Sequence, residues 1–415
     1  MSNWTPDWRI SIDGVEYTSV TLANLVISSG RRDIYTQPAA GYCNVELINT
    51  DGSNIDIDIN DGLTIEVKNS AGTFVPIFGG FITDIEVSIR GAGSIGISQS
   101  IKLIALGALA RLPRILTEGV LTTDFDGDQI AAILGAELAG SWNDVSASLI
   151  WSAYDPTTTW ANAESGSLGE IDQPGNYELE NRLANRTDVY SLVSLLATSG
   201  LGYLYEDGSG RIGYADSTHR SQYLAANGYV EVSANDALAA GIKTTTRSGD
   251  IRNSITLKYG NNSASEVSDS DAESIATYGS AAQIITTTLK HTADATSQAA
   301  FYLTLRANPQ AIFDSITFQI GNSEISNSDR DALISVFMGM PMQISDLPSN
   351  MDLGVFQGFV EGWTISAGVK SMAINLILSP VAFSLQAMKW NDVSVAETWN
   401  TLSATLTWQE ALIVV

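Results

Sequence analysis

Asp124, Asp126 and Asp128 stand at alternate positions in "TDFDGDQ", the way the carboxylates of a calcium loop begin. An EF-hand also needs glycine at the sixth position and glutamate at the twelfth, and here those are Gln129 and Gly135. The EF-hand reading fails, and Asp128 is expected instead as the N-cap of a short apolar helix closed by Gly140. The two histidines, His219 in "ADSTHRSQ" and His291 in "LKHTADA", have no triad or metal motif beside them and read as surface or capping residues. Glu164, Glu170 and Glu178 lie near a tryptophan block, which would suit a sugar cleft. A glycosidase pair is defined by a spatial separation of roughly 5–10 Å that sequence does not display. The remaining candidates are the tryptophans. Trp142, Trp151 and Trp160 recur at nine-residue spacing, as do Trp390, Trp399 and Trp408, and both blocks open with "WNDVS". Nine residues advance a helix by about two and a half turns and reverse the face of a strand. One amphipathic element is therefore excluded. The blocks either complete the protein's own core or act as docking segments with separate aromatic anchors.

The elements that must hold these residues are mainly strands. "RISIDGVEYT" alternates around the hairpin dipeptide Asp13-Gly14, and "CNVELIN", "LTIEVKN", "FVPIFGGFITDIEVSI" and "SIKLIALG" follow with short turns between them. A different texture begins near residue 112. "TDVYSLVSLLATSG" places Val189, Leu192, Val193 and Leu196 on one helical face, and "LGYLYEDGSGRIGYAD" reads as a hairpin. From about residue 250 come "DIRNSITLKYG", the acidic loop "SEVSDSDAES", a helix in "HTADATSQAAFYLTLRANP", and four strands ending in "KSMAINLILSP".

One pattern occurs twice. "FGGFITDIEVS", Phe78 to Ser88, matches "FQGFVEGWTIS", Phe356 to Ser366, and each follows a short strand and precedes an apolar one. The reading is two related β domains, residues 8–110 and 248–380, with an α+β insert at 111–247 and a tryptophan-repeat arm at 381–415. Phe78, Phe81, Phe356 and Phe359 are the expected core of the pair.

Composition narrows the function classes. A chain of 415 residues with 44% apolar and 16% charged residues is long enough for two or three domains. No run suits a membrane span, and "MSNWTPDWRIS" is not a secretory signal, so a protein made in the cytoplasm without direct membrane insertion is expected. Cys43 is alone, which rules out a disulfide within the chain. A formal charge of −25, from 46 acidic against 21 basic residues, repels phosphate backbones and argues against gripping nucleic acid. The same charge would suit a conduit to which DNA must not stick.

"VTLANLVISSGRRDIYTQPAAGYCNVELINTDG", with "LTIEVK" and "FVPIFGGFITDIEV", resembles the opening domain of tail-tip hub proteins of long-tailed bacteriophages, often called minor tail proteins. "DVYSLVSLLATSGLGYLYEDGSGRIGYAD" resembles their insert. "ESIATYGSAAQIITTTL", read as an Ala-rich helix, and "GFVEGWTIS…INLILSP" resemble their second barrel, so the likeness runs from about residue 8 to 380. It implies a baseplate hub in the virion tail tip: a homotrimer in which each subunit presents two tail-tube-like β-barrels, matching a sixfold tube above and a threefold tip below. Distal tail or tail tube protein, tape measure protein and downstream tail-tip or receptor-binding proteins are the implied partners, with DNA only in transit. The likeness supplies no catalytic motif. No catalytic residue, cofactor or metal is assigned, and a structural, non-enzymatic role leads. A receptor- or glycan-binding tail protein using the tryptophan blocks, and a cell-wall hydrolase, are the alternatives.

Overall fold

The computed structural model describes residues 4–50, 53–90, 98–139, 168–246, 248–309, 312–349 and 354–380. The first stretch is all strand: β1 (Trp8–Ile12), β2 (Val15–Glu16), β3 (Val20–Gly30), β4 (Tyr42–Asn49), β5 (Gly62–Lys68), β6 (Phe74–Arg90) and β7 (Ser98–Gly107). A 3-10 turn, Ala108–Arg114, leads through β8 (Leu116–Thr117) and β9 (Asp124–Phe125) to helix α1 (Asp126–Ala139). Next come β10 (Leu168–Ile171), β11 (Glu178–Leu179), β12 (Thr187–Asp188), α2 (Val189–Ser199), the hairpin β13 (Tyr203–Glu206) and β14 (Ile212–Ala215), and α3 (His219–Asn227). They are followed by β15 (Val230–Ser233), β16 (Ala237–Thr245), β17 (Ser254–Tyr259), β18 (Ser265–Ser270), α4 (Ala272–Tyr278), β19 (Ala282–Thr286) and α5 (Thr292–Arg306). The last stretch holds β20 (Ile312–Gln319), α6 (Asn327–Ile334), β21 (Pro341–Ser345), β22 (Phe356–Gly368) and β23 (Ser371–Pro380).

The protein is mainly β, and one 13-stranded sheet runs through it in the order β16-β20-β23-β22-β3-β4-β7-β6-β5-β1-β2, with β21 and β15 branching from β22. Local chemistry explains its parts. Asp13 and Gly14 both take positive φ, 47° and 77°, the conformation a two-residue hairpin demands. In β4 every second residue is buried, from Cys43 through Val45 and Leu47 to Asn49, which is the period of a strand with one face on a core. Asp188 caps α2 by accepting from the Ser191 amide, and Val189, Leu192, Val193 and Leu196 form the buried face expected from their spacing.

The two halves of the sheet repeat each other residue by residue. Ile65 faces Phe78 across β5 and β6, and Ile344 faces Phe356 across β21 and β22. Phe81 faces Leu106 on β7, and Phe359 faces Ser379 on β23. Each long strand then bulges at the same place, between Ile82 and Asp84 in β6 and between Val360 and Gly362 in β22. The shared glycine has one physical reason in both copies. A Cβ on Gly80 would stand 2.3 Å from the Leu106 carbonyl oxygen and 2.8 Å from the Phe78 ring, and one on Gly358 would stand 2.3 Å from the Ser379 oxygen and 2.7 Å from the Phe356 ring. Phe78, Phe81, Phe356 and Phe359 are all buried, as the pattern implied.

Several expectations are corrected. β15 and β16 lie before residue 248, yet β15 pairs with β21 and β16 with β20, so they belong to the second half of the large sheet and not to the insert. Conversely, β17, β18 and β19 form a separate three-stranded sheet, and their apolar residues Ile255, Leu257 and Ile285 share a core with α1, α2 and α5. The second half is therefore interrupted between β16 and β20 by residues that bury their faces against the insert. "SEVSDSDAES" is not a loop: it gives β18 and the start of α4. "ESIATYGSAAQIITTTL" is helical only through Tyr278 and then becomes β19. Helix α1 begins at Asp126, so Asp128 lies inside its first turn and is not the N-cap.

β13 shows how the two cores are kept apart. All four of its residues are buried; Tyr203 and Tyr205 join the core of the large sheet, and Leu204, pointing the other way, joins the insert core. Its turn docks on the first half at Gly79, where a Cβ would stand 2.3 Å from the Ser209 carbonyl carbon.

Candidate functional site

The two halves meet at a seam inside the chain. On one edge of β22, residues 356–359 pair with β21, and after the bulge residues 362–368 pair antiparallel with β3, from Gly30 back to Asn24. Glu361 is the bulged residue at this handover. Its backbone carbonyl accepts from the Arg31 amide at 2.7 Å, and Gly30, at φ +86°, passes so close that a Cβ would stand 2.3 Å from that oxygen.

The Glu361 side chain is buried, and three parts of the chain converge on it. It accepts from Arg31 Nε at 2.7 Å at the end of β3, from Arg220 at 2.6 and 2.9 Å on α3, and from Ser379 Oγ at 2.5 Å on β23. Burial alone would raise its pKa, but Arg220 and Arg31 outweigh that and hold it at about 2. Both guanidiniums also stand over the Tyr203 ring, at 4.5 and 5.2 Å. A carboxylate saturated by two arginines and a hydroxyl has no basicity left for catalysis, and its chemistry is that of a clamp.

In the first half the equivalent bulge carries Thr83, whose hydroxyl lies 2.9 Å from Asp84 Oδ2 and 3.2 Å from the Ile104 carbonyl. Beyond it no described strand pairs with the second edge of β6, because the β5 pairing ends at Phe81. Trp363, Ile365 and Ala367 on β22 are 6, 1 and 7% exposed, whereas Val87 and Ile89, equivalent to the last two, are 56 and 66% exposed. At the far end of the sheet, β16 pairs only with β20 and leaves its other edge without a described partner.

Three more buried acids fasten the insert, Glu206 to the first half of the sheet and Asp126 and Asp172 within the insert itself. Glu206 on β13 accepts from the Gly41 amide at 2.7 Å and from the Leu109 amide of the 3-10 turn; burial raises its pKa to about 7. Asp126 accepts from the Asn176 and Tyr177 amides at 2.8 Å and from the Tyr214 hydroxyl, and burial raises it to about 7 as well. Asp172 holds His219 Nδ1 at 2.7 Å and the Asp216 amide at 2.9 Å. His219 is thus a buried partner of a carboxylate and not a surface residue; burial lowers its pKa, and Asp172 more than restores it. A cavity of about 370 Å³ opens between α3, α5 and the loop after β3, with Tyr35, Tyr177, Phe301 and Tyr302 as aromatic walls.

The residues singled out from sequence are dispersed. Trp142, Trp151, Trp160, Trp390, Trp399 and Trp408 lie outside the described residues, as does Glu164. Glu170 sits in β10, and Glu178 in β11 accepts from Lys290 at 2.7 Å and His291 at 2.6 Å on the surface. Among the described residues no three His, Cys, Asp or Glu side chains gather as a metal site, and no helix is long and apolar enough to cross a membrane. The seam residues Arg31, Arg220 and Glu361 escaped sequence reasoning. Their one visible signal was a glutamate inside an otherwise apolar strand, "GFVEGWTI".

This mainly β chain has the fold of two phage tail proteins of known structure. No protein-family model and no curated protein sequence matches it. A 43 kDa tail protein of prophage MuSo2 from Shewanella oneidensis superposes with a TM-score of 0.57 at 12% identity, covering 91% of this chain and 99% of that one. A tail protein from Neisseria meningitidis MC58 superposes with a TM-score of 0.59 at 10% identity, covering 92% and 98%.

Proposed function

We propose that the protein is a structural hub of a bacteriophage tail tip: a homotrimer in which each chain contributes two tube-like barrels to one ring of six around a DNA conduit. The observation that carries this reading is the residue-by-residue repeat of the two sheet halves, joined edge to edge at Glu361 in a chain with the fold of tail proteins. Two copies of one unit per chain turn three subunits into six near-equivalent units. Such a ring fits a sixfold tube on one face and a threefold tip on the other. Distal tail or tail tube protein, tape measure protein and receptor-binding proteins are then its neighbours. Its chemistry is mechanical, and the buried carboxylates act as fasteners.

The charge of −25 suits the lumen of such a ring, where acidic walls do not retain DNA. On this reading Asp and Glu outnumber Lys and Arg on the inner surface, and a basic wall there would return the charge to solubility. The two tryptophan triplets serve as docking segments, the terminal one for a neighbouring subunit or tail protein. Sedimentation of the purified chain tests the assembly. A species of three chains of 44.2 kDa each is expected, at modest concentration or on adding tail partners; a monomer under both conditions contradicts the ring. Removing residues 381–415 should leave a folded protein that assembles poorly. Unfolding of the truncated chain would assign Trp390, Trp399 and Trp408 to its own core.

A further inference from the structure

We infer that the free edge of β6 is completed by β16 of a second copy, in the register that β22 and β3 use inside the chain. The inference rests on the ring reading above and adds to it the surface, the strands and the residue pairs of the contact.

Among the described strands the edges for this joint occur twice and the joint is made once. Counting through the paired strands, Ile85 on β6 corresponds to Trp363 on β22, because Ile85 faces Leu103, Trp363 faces Leu376, and each stands four pairs past its shared glycine, Gly80 or Gly358. The same path leads from Leu25 on β3 to Ile242 on β16. Leu25 faces Val45, which faces Leu103, and Ile242 faces Ile316, which faces Leu376. β6 is therefore the counterpart of β22, and β16 the counterpart of β3. β22 and β3 pair with each other, whereas the matching edges of β6 and β16 have no partner among the described strands. These two edges lie far apart in the strand order, so the missing joint runs head to tail between copies. Such a contact closes a ring or continues as a filament.

Side chains agree with the backbone. In the joint made within the chain, Ile365 and Ala367 are 1 and 7% exposed, and their counterparts Val87 and Ile89 are 56 and 66% exposed. An isolated β edge ending in exposed branched apolar residues is a template for strand addition. The opposite face of the same segment carries Asp84 and Glu86, both exposed, and β16 brings the exposed Lys243 to meet it. Ser366 pairs with Val26 in the internal joint, so Ser88 is opposite Lys243 in the external one, with Val87 opposite Thr244 and Glu86 opposite Thr245. The occupant is a second copy of this chain because β16, among the described strands, carries the matching register.

Cysteine cross-linking tests the contact. Cys43 is buried, so the background is low. The double variant Ser88→Cys with Lys243→Cys, oxidised under native conditions, should run as a covalent oligomer of three chains on a denaturing gel, and each single variant should not. Val87→Cys with Lys243→Cys puts the two thiols on opposite faces and should give at least tenfold less product. Because Val87 and Ile89 are exposed in the single chain, Val87→Asp with Ile89→Asp should fold with an unchanged circular dichroism spectrum and sediment as a monomer. If the wild-type chain is a trimer and the Ser88 and Lys243 thiols do not cross-link, this contact is wrong and the ring reading stands. A wild-type chain that is monomeric at every concentration and with tail partners removes both.

Discussion

Thr83 and Glu361 occupy the same bulge in two copies of one strand, preceded by the same Phe-x-Gly-Phe run, yet one is half-exposed and hydrogen-bonded locally and the other is sealed between two arginines. The backbone at both positions follows from the glycine that lets strands approach and the phenylalanine that covers it. The side chain follows from what lies across the edge. At Glu361 the edge is taken by β3, and the insert presses α3 onto it; at Thr83 no described strand takes the edge. A local motif thus sets the bend, and the neighbour decides whether a charge can be sealed there.

The largest expected effect breaks the comparison at the buried member. Glu361→Gln leaves Arg31 and Arg220 buried without their counter-charge and should cost about 3–5 kcal/mol in urea unfolding. A loss below about 1 kcal/mol would mean that the clamp is wetter or looser than described.

Acidity gives the next largest effect, and its sign differs between the seam and the insert. Glu206 and Asp126 have raised pKa values of about 7, so the stability they allow is full below about pH 4 and is lost as pH rises through 7. Glu361 is depressed to about 2, so its contribution is present above about pH 4.5 and is lost as pH falls toward 2. For these three groups together maximal stability is expected near pH 4, with a decline of roughly 3–4 kcal/mol toward pH 8 for each raised acid. Glu206→Gln should roughly halve the alkaline limb, leaving the share of Asp126, and keep the acidic limb in place; an unchanged alkaline limb in a pH series of denaturation midpoints would contradict the assignment.

Smaller still is a test of equivalence. Gly80→Ala and Gly358→Ala meet the same carbonyl and the same ring, so each should cost about 1–3 kcal/mol, and the two losses should agree to within about 1 kcal/mol. A neutral result at either site would separate the two copies. Thr83→Ala should cost under about 1 kcal/mol, because it removes local hydrogen bonds at a position water can reach.

What the sequence disclosed follows the range of the physics. The Phe-x-Gly-Phe strands, the Asp13-Gly14 turn and the buried face of α2 depend on neighbours a few residues away, and all were legible. β16, "ALAAGIKTT", was not, because alanine and glycine give a weak strand signal and its place is set by pairing with β20. The Glu361 clamp depends on residues 330 and 141 positions distant, beyond the reach of any local period. His219 sits in a polar run, "ADSTHRSQ", whose burial is imposed by Asp172. Solvation of a polar run is the ordinary outcome, so its burial had to come from the tertiary structure.

The central claim is that the two sheet halves are alternating units of one ring. End-on electron-microscope averages of the purified assembly, or of the tail tip that contains it, test this most directly. Threefold symmetry with six similar lobes around a central opening is the predicted result. Three lobes with the second halves lying outside the ring, or a twofold particle, would contradict it.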